Sequence, residues 1–387
     1  MARAEICHLT SVHDPLDTRI YRKECLSLSR YGYRVCLIAP SATGGDAQDG
    51  VQLVPLPPVK RRLSRMLFQP WRVLFAALRS RARVYHFHDP ELLAVGMLLK
   101  LTGSKVIYDV HESVGADISS KSYLPPWLRR LAALVVSALE RAGARLYDGI
   151  IAATPFIASD FALDKSVVVQ NFPIKGELAS PDESAARQDL ALYMGSMSDI
   201  RGITEMVQAM GNLSSQDPTK LVLVGRFSDQ GFENLLRAMP GWARVEYHPW
   251  QDRKSLARMM SRCRVGLILL HPAPNHFQAY PNKLFEYMSA GLPVLASDFP
   301  LWREIIEGSG CGQVVDPTNP GEIAKGISWF IGHPAQAEEM GDRGRAAVDN
   351  LYNWGREEGK LIAFYDNLIG LPEKKTGLAV NPGEIPR

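Results

Sequence analysis

Residues 172–189 read FPIKGELASPDESAARQD. Pro173, Gly176 and Pro181 fall here among few large apolar residues, a composition that marks a domain boundary. On the amino-terminal side, short β-rich runs at 5–9, 34–39, 51–56, 84–87, 105–109, 149–153 and 166–170 alternate with stretches long enough for crossover helices, among them 17–31 and 127–142. On the carboxyl-terminal side the alternation starts afresh. Strand-like runs lie at 190–194, 221–224, 245–247, 265–270, 294–297 and 312–315, and helical patterns at 202–210, 252–261, 282–289 and 320–331. Each series predicts an α/β domain built on a parallel, doubly wound sheet with helices on both faces. The expected division is 1–175 and 186–354, with a last helix near 355–371 packing back on the first domain and a flexible tail at 372–387.

Composition agrees with two folded domains. The chain has 387 residues, 46% hydrophobic and 22% charged, which excludes a disordered chain, a collagen-like fibre and a disulfide scaffold. The apolar run at 131–136 falls far short of the ~20 residues that cross a bilayer. Cys7, Cys25, Cys36, Cys263 and Cys311 form no C-x-x-C pair, so neither a structural zinc of that type nor a disulfide framework is expected. No secretory leader precedes the first strand-like run, and with the free thiols this gives a reducing cytoplasm as the expected compartment. The net charge of +3 conceals an asymmetry: residues 1–175 carry 23 basic and 15 acidic side chains, residues 176–387 carry 21 and 26. The two halves are thus expected to face different partners.

Several short motifs recur in a telling order. They are His13–Glu24 (HDPLDTRIYRKE), Phe87–Pro90 (FHDP), Tyr108–Glu112 (YDVHE), Gln170–Pro173 (QNFP), Tyr193–Gly202 (YMGSMSDIRG), Val224–Arg226 (VGR), Tyr280–Asp298 (YPNKLFEYMSAGLPVLASD) and Asn353-Trp354. Together they resemble the retaining GT-B glycosyltransferases of family 4, the glycosyl transferases group 1, over roughly residues 5–370. That resemblance implies two Rossmann-like domains facing a central cleft. It also implies transfer of a hexose-type sugar, with retention, from a nucleoside diphosphate sugar to a hydroxyl acceptor. The donor would bind mainly in the second domain and a saccharide or lipid-linked acceptor in the first. A UDP-sugar is expected over a GDP-sugar, with no cofactor and no metal. Bacterial cell-surface polysaccharide or glycolipid synthesis is the expected setting. A nucleotide-sugar epimerase on the same fold, and a catalytically silent nucleotide-sugar-binding subunit, are the alternatives.

The chemistry of the quoted residues can be read beside the resemblance. A departing nucleoside diphosphate gathers negative charge, so the site needs cations and N–H donors there. Arg201 follows a predicted strand and precedes a helical run, and by resemblance it holds the diphosphate near Gly195. A second basic residue of the family falls at Ser196, and Arg226 and Lys283 are the candidates to replace it. Pro281, Asn282 and Lys283 open a predicted helix, whose N-terminus suits an anion. One turn in, Glu286 suits two ribose hydroxyls, or alternatively serves as a helix-dipole partner. The first carboxylate of the family's Glu-x7-Glu pair falls at Gln278, which binds hydroxyls but carries no charge. His111 is expected at the carboxyl end of a strand, where open α/β sheets bind ligands, and the family places a donor-sugar-contacting histidine there. His88, Asp89 and Glu112 are expected nearby, as site residues or as groups that bond loop backbone. In the loop after the first strand, Arg19 either reaches phosphate or acceptor, or forms a loop-fixing pair with Asp17.

Other chemistries lack their motifs. There is no Asp-x-Asp pair for a metal–diphosphate site, no G-x-S-x-G elbow and no P-loop. Residues 60–83 read KRRLSRMLFQPWRVLFAALRSRAR, with eight basic residues, no acidic one and an interleaved Trp and two Phe. Such a segment suits the surface of an anionic membrane, which would make the protein peripheral on the inner face of the cell membrane. A sheet-packing helix with a solvated basic edge is the other reading. No motif supports nucleic-acid binding.

Overall fold

Strands of a parallel sheet are covered on both faces and so read as apolar runs rather than alternating ones. The computed structural model describes residues 4–41, 49–59, 61–111, 125–162, 164–179 and 186–371, and shows two such sheets. Contacts divide the chain into two compact units, the described residues of Met1–Asn171 with Arg356–Arg387, and Phe172–Gly355.

The first unit holds strands β1 (Ile6–Leu9), β2 (Val35–Pro40), β3 (Val51–Leu56), β4 (Val84–Phe87), β5 (Lys105–Val110), β6 (Gly149–Ala152) and β7 (Ser166–Val168). Their spatial order is β3-β2-β1-β4-β5-β6-β7, parallel throughout. The order reverses between β1 and β4, where Ile6 pairs with both Val35 and Val84. Loops leaving the carboxyl ends of strands at such a point diverge and leave room for a ligand. The second unit repeats the plan with β8 (Leu190–Met197), β9 (Lys220–Phe227), β10 (Val245–His248), β11 (Val265–Ile268), β12 (Val294–Ser297) and β13 (Gly312–Val315), in the order β10-β9-β8-β11-β12-β13. Its reversal lies between β8 and β11.

The predicted helix over 17–31 is two structures. Thr18–Cys25 is π-helical, and an α-helix continues over Leu26–Tyr31. Asp17 caps it, its Oδ1 accepting the backbone N–H groups of Arg19 and Ile20 at 2.8 and 2.9 Å. The basic stretch forms the helix Arg62–Ser80, and the helix predicted at 127–142 spans Pro126–Leu146. The stretch expected to be a linker is partly core: Phe172 and Leu178 are buried among the side chains of the second unit. Two large apolar residues suffice to anchor a polar segment. The tail expected at 372–387 lies outside the described residues.

The helix Trp354–Ile369 brings residues from 356 onward into the first unit. Tyr31 and Tyr33 donate their phenol protons to Asp366 at 2.6 and 2.7 Å, and buried Tyr365 contacts His86 Nδ1 at 2.8 Å. Asp366→Ala is expected to remove two charge-assisted bonds from a half-buried site and cost about 1–2 kcal/mol. Calorimetric unfolding of the purified variant checks this.

Candidate functional site

Each unit presents polar groups at the carboxyl ends of the strands flanking its reversal. In the first unit, β1 runs out into Thr10, Ser11 and His13, β4 into His88 and Asp89, and β5 into His111. Asp89 is buried and spends its carboxylate on the loop after β1: Oδ2 accepts from Thr10 Oγ1 at 2.8 Å and the Ser11 backbone N–H at 2.6 Å, and Oδ1 faces His13 Nδ1 at 3.0 Å. Burial opposes its ionisation, but His13 and these donors hold it down to about 2. Asp89 is therefore a loop-fixing carboxylate.

Arg19 corrects an expectation. Its guanidinium is buried and turned inward, where Nε and Nη2 donate to the two oxygens of Asp109 at 3.1 and 2.8 Å and Nη1 to the Val169 carbonyl at 3.0 Å. It is thus spent on the core rather than on a phosphate or an acceptor. Nor does Asp17 pair with that guanidinium; it caps the backbone. Asp109 also contacts His88 Nδ1 at 3.0 Å and His111 Nε2 at 2.7 Å. Burial would raise its pKa, yet Arg19 and His111 hold it well below the usual carboxylate range. With Nε2–H donated to Asp109, the half-exposed His111 keeps its Nδ1 lone pair for another partner. His88 is fully buried beneath it, and Glu112 lies outside the described residues.

In the second unit, Arg201 closes a short turn, Asp199–Arg201, after β8. The left-handed Gly202 (φ 69°) follows, so tight against β11 that a Cβ there would meet the Leu269 carbonyl. Gly195 (φ 126°) leaves the space in which Lys283 lies: a Cβ would stand 2.6 Å from Lys283 Cε. The Lys283 ammonium sits 5.0 Å from the centre of the Tyr193 ring. Burial, and after it the nearby charge of Arg201, pull its pKa down to about 8. Arg201 is therefore near enough for its charge to be felt at Lys283. Arg226 is exposed and pairs in register with Ser196. Of the two candidates to replace the missing cation at Ser196, Lys283 lies against Gly195 and feels the charge of Arg201, whereas Arg226 is exposed.

The helix Asn282–Ser289 begins at Pro281 with no side chain capping it. Glu286, one turn in, accepts from Arg253 Nη1 at 2.5 Å, and Arg253 in turn holds Glu177 through Nε (3.2 Å) and Nη2 (2.7 Å). Neither Arg253 nor Glu177 carries a sequence signal; Arg253 merely follows the helix cap Asp252, and Glu177 lies in the stretch read as linker. Gln278 is exposed at the end of the short helix Pro274–Phe277. Sequence reading also passed over His271, just beyond β11, whose Nε2 stands 2.9 Å from Glu205.

Two family models account for most of the chain. Residues 22–168 match the glycosyl transferase 4-like domain, and residues 175–347 match glycosyl transferases group 1. The chain is a group 1 glycosyltransferase of the GT-B type. This glycosyltransferase is 22% identical over 361 residues to a phosphatidyl-myo-inositol mannosyltransferase of Mycobacterium leprae, across 87% of its own length and 89% of the relative's. Its fold matches sucrose-phosphate synthase from Thermosynechococcus elongatus with a TM-score of 0.76 at 19% identity, covering 95% of this chain and 99% of that one. Anabaena HepE, solved in complex with UDP-glucose, matches with a TM-score of 0.67 at 15% identity over 94% and 100% of the two chains. The glycosyltransferase is thus related to bacterial enzymes of polysaccharide and glycolipid synthesis. No helix among the described residues is long and apolar enough to cross a membrane.

Proposed function

We propose that this glycosyltransferase moves a hexose from a UDP-sugar to a hydroxyl acceptor with retention at the anomeric carbon. The observation that carries the reading is the Arg201–Lys283 pair beside Gly195, next to an uncapped helix N-terminus with Glu286 one turn in. Two cations and free N–H groups suit a diphosphate, and a carboxylate at that depth suits ribose. The complex of HepE with UDP-glucose, on the same fold, supports the choice of donor. Charge developing on the leaving diphosphate is met by Arg201 and Lys283, so no divalent ion is required there. His111, oriented by Asp109, offers Nδ1 to a sugar hydroxyl. Incubating purified protein with UDP-glucose and following UDP release tests the reading. Tight UDP binding without any release over hours would instead indicate a silent binding subunit, to which the uncharged Gln278 points.

Glu286→Ala is expected to weaken UDP affinity about 10–100-fold, through loss of a charged acceptor worth ~1.5–3 kcal/mol. Titration calorimetry with UDP measures it. Unchanged affinity would mean that Glu286 serves only to hold Arg253.

The acceptor side supports a membrane-docked enzyme working on a lipid-linked acceptor from the cytoplasmic face. The helix Arg62–Ser80 buries Val73, Leu74 and Ala77 but exposes Leu67 (64%), Phe68, Trp71 (56%) and Phe75. The helix Pro126–Leu146 exposes Trp127 (67%), Leu131, Leu134 and Val135. Both pack against the helix Leu93–Lys100, which is followed by the exposed Leu101. Exposed apolar side chains concentrated on neighbouring helices mark an interaction surface, and the arginines among them favour an anionic one.

A further inference from the structure

Four side chains buried under the first sheet's reversal have no role in the chemistry above. His8 on β1 and His86 on β4 are register partners, and His88 lies two residues further along the same face. Glu24 reaches them from the π-helix Thr18–Cys25. Each of the four is fully buried, or within 2% of it. Their nearest ligand-type atoms all lie within 4.8 Å of one another. His8 Nδ1 is 3.0 Å from His88 Nε2 and 3.9 Å from Glu24 Oε2, and His86 Nδ1 is also 3.9 Å from that oxygen, with the Tyr365 hydroxyl, 2.8 Å from the same nitrogen, having to turn away for it to bind an ion. A tetrahedral ion with bonds of ~2.0–2.1 Å sets its ligand atoms ~3.3 Å apart, a value these distances bracket.

Three further observations single the cluster out. Neither oxygen of Glu24 accepts a hydrogen bond among the described residues. Arg19 Nε stands 3.1 Å from Glu24 Oε1 without the geometry of a hydrogen bond, and its guanidinium already serves Asp109. Two carboxylates thus face one guanidinium, which can balance only one of them when both are ionised. His88 gives Nδ1–H to Asp109 and turns Nε2 into the cluster, the carboxylate–histidine arrangement that orients metal ligands. Finally, the carboxylate comes from a π-helix, a conformation concentrated at functional sites.

We propose that His8, Glu24, His86 and His88 form a buried site for one borderline dication of the zinc type, with Asp109 orienting His88. Three imidazoles and one carboxylate select such an ion over magnesium or calcium, which prefer oxygen. The ion would clamp β1, β4 and the π-helix together within the first unit.

The test is made on full-length protein without a histidine tag. Metal content by plasma mass spectrometry should approach one equivalent per chain. After chelation, added Co²⁺ should give the visible bands of a tetrahedral site, and Zn²⁺ alone should raise the melting temperature. Glu24→Gln, nearly isosteric, should weaken Zn²⁺ binding more than ~10-fold, and Asp109→Asn by ~10–100-fold. Should either variant fail to fold, the wild-type metal content and cobalt spectrum decide. Metal content near zero with no cobalt bands overturns the proposal and leaves Glu24 as a carboxyl that carries a proton. Zinc retained equally by Glu24→Gln overturns it too, because the ion then lies elsewhere.

Discussion

Arg201→Ala should lower turnover about 10²–10³-fold while changing UDP affinity far less, the loss expected when a donor to developing charge is removed. The structure adds a second arm to this expectation. Lys283 has a pKa pulled down to about 8 by burial and by the nearby charge of Arg201. Below that pH the ammonium is charged and serves the leaving diphosphate; above it the charge is lost. That value belongs to the free enzyme, so kcat/KM should fall as the pH rises through about 8. In Arg201→Ala the depressing neighbour is gone, so the same limb should move to higher pH. Lys283→Met should abolish the limb and lower kcat/KM. A pH series of kcat/KM for the three proteins checks all of this. An alkaline limb that persists in Lys283→Met would assign it to another group.

Replacing Arg61, Arg72 and Arg79 with Glu should abolish sedimentation with anionic vesicles at low salt and leave UDP-glucose hydrolysis intact. All three are exposed, whereas Arg65 in the same helix is held by Glu91 at 3.0 Å and is better left alone. Each basic group near an anionic surface contributes about 1 kcal/mol, so reversing three charges outweighs any single apolar contact. More apolar surface is exposed than sheet packing would leave, with Leu67, Phe68, Trp71 and Phe75 all outward. Salt should accordingly weaken vesicle binding without eliminating it, as screening shortens to ~8 Å at physiological ionic strength. Trp71→Ser should remove much of the salt-resistant remainder. Wild type left in the supernatant at low salt would overturn membrane docking.

The strands were legible because parallel strands bury both faces. Runs such as ICHL, GIIA and VLAS announce themselves without any alternation to interpret. Helices without large apolar residues were not. Pro334–Asn350 buries Ala337, Gly341, Gly344 and Val348, and Gly341 lies so close to the Gly291 carbonyl that no Cβ would fit. Close backbone approach leaves almost no hydrophobic periodicity to detect. Leu93–Lys100 failed for the opposite reason, being apolar nearly all round. The π-helix has no period of its own that a sequence displays, so Glu24 and Arg19 looked like parts of an ordinary helix or loop. In the site, Arg201, Lys283 and Glu286 were readable because they sit in motifs next to turns. Their partners Arg253 and Glu177 were not, since a single charged residue on a surface helix or in a polar stretch looks the same whether or not it meets a distant carboxylate or guanidinium.

The buried contact of Tyr365 with His86, and the phenols that reach Asp366, have a consequence for biosynthesis. Ribosomes deliver strands β1 to β7 first, yet the helix that covers His86 emerges only after the entire second unit has been made. At ~5–20 residues per second the wait is on the order of ten seconds or more. During it the nascent first unit has a full sheet and an uncovered polar interior. The second unit, continuous in sequence, can complete itself as soon as it emerges. Truncation before residue 356 should therefore spare the second unit and leave the first one prone to aggregation, reversing the usual order in which the earlier-made domain is the first to mature.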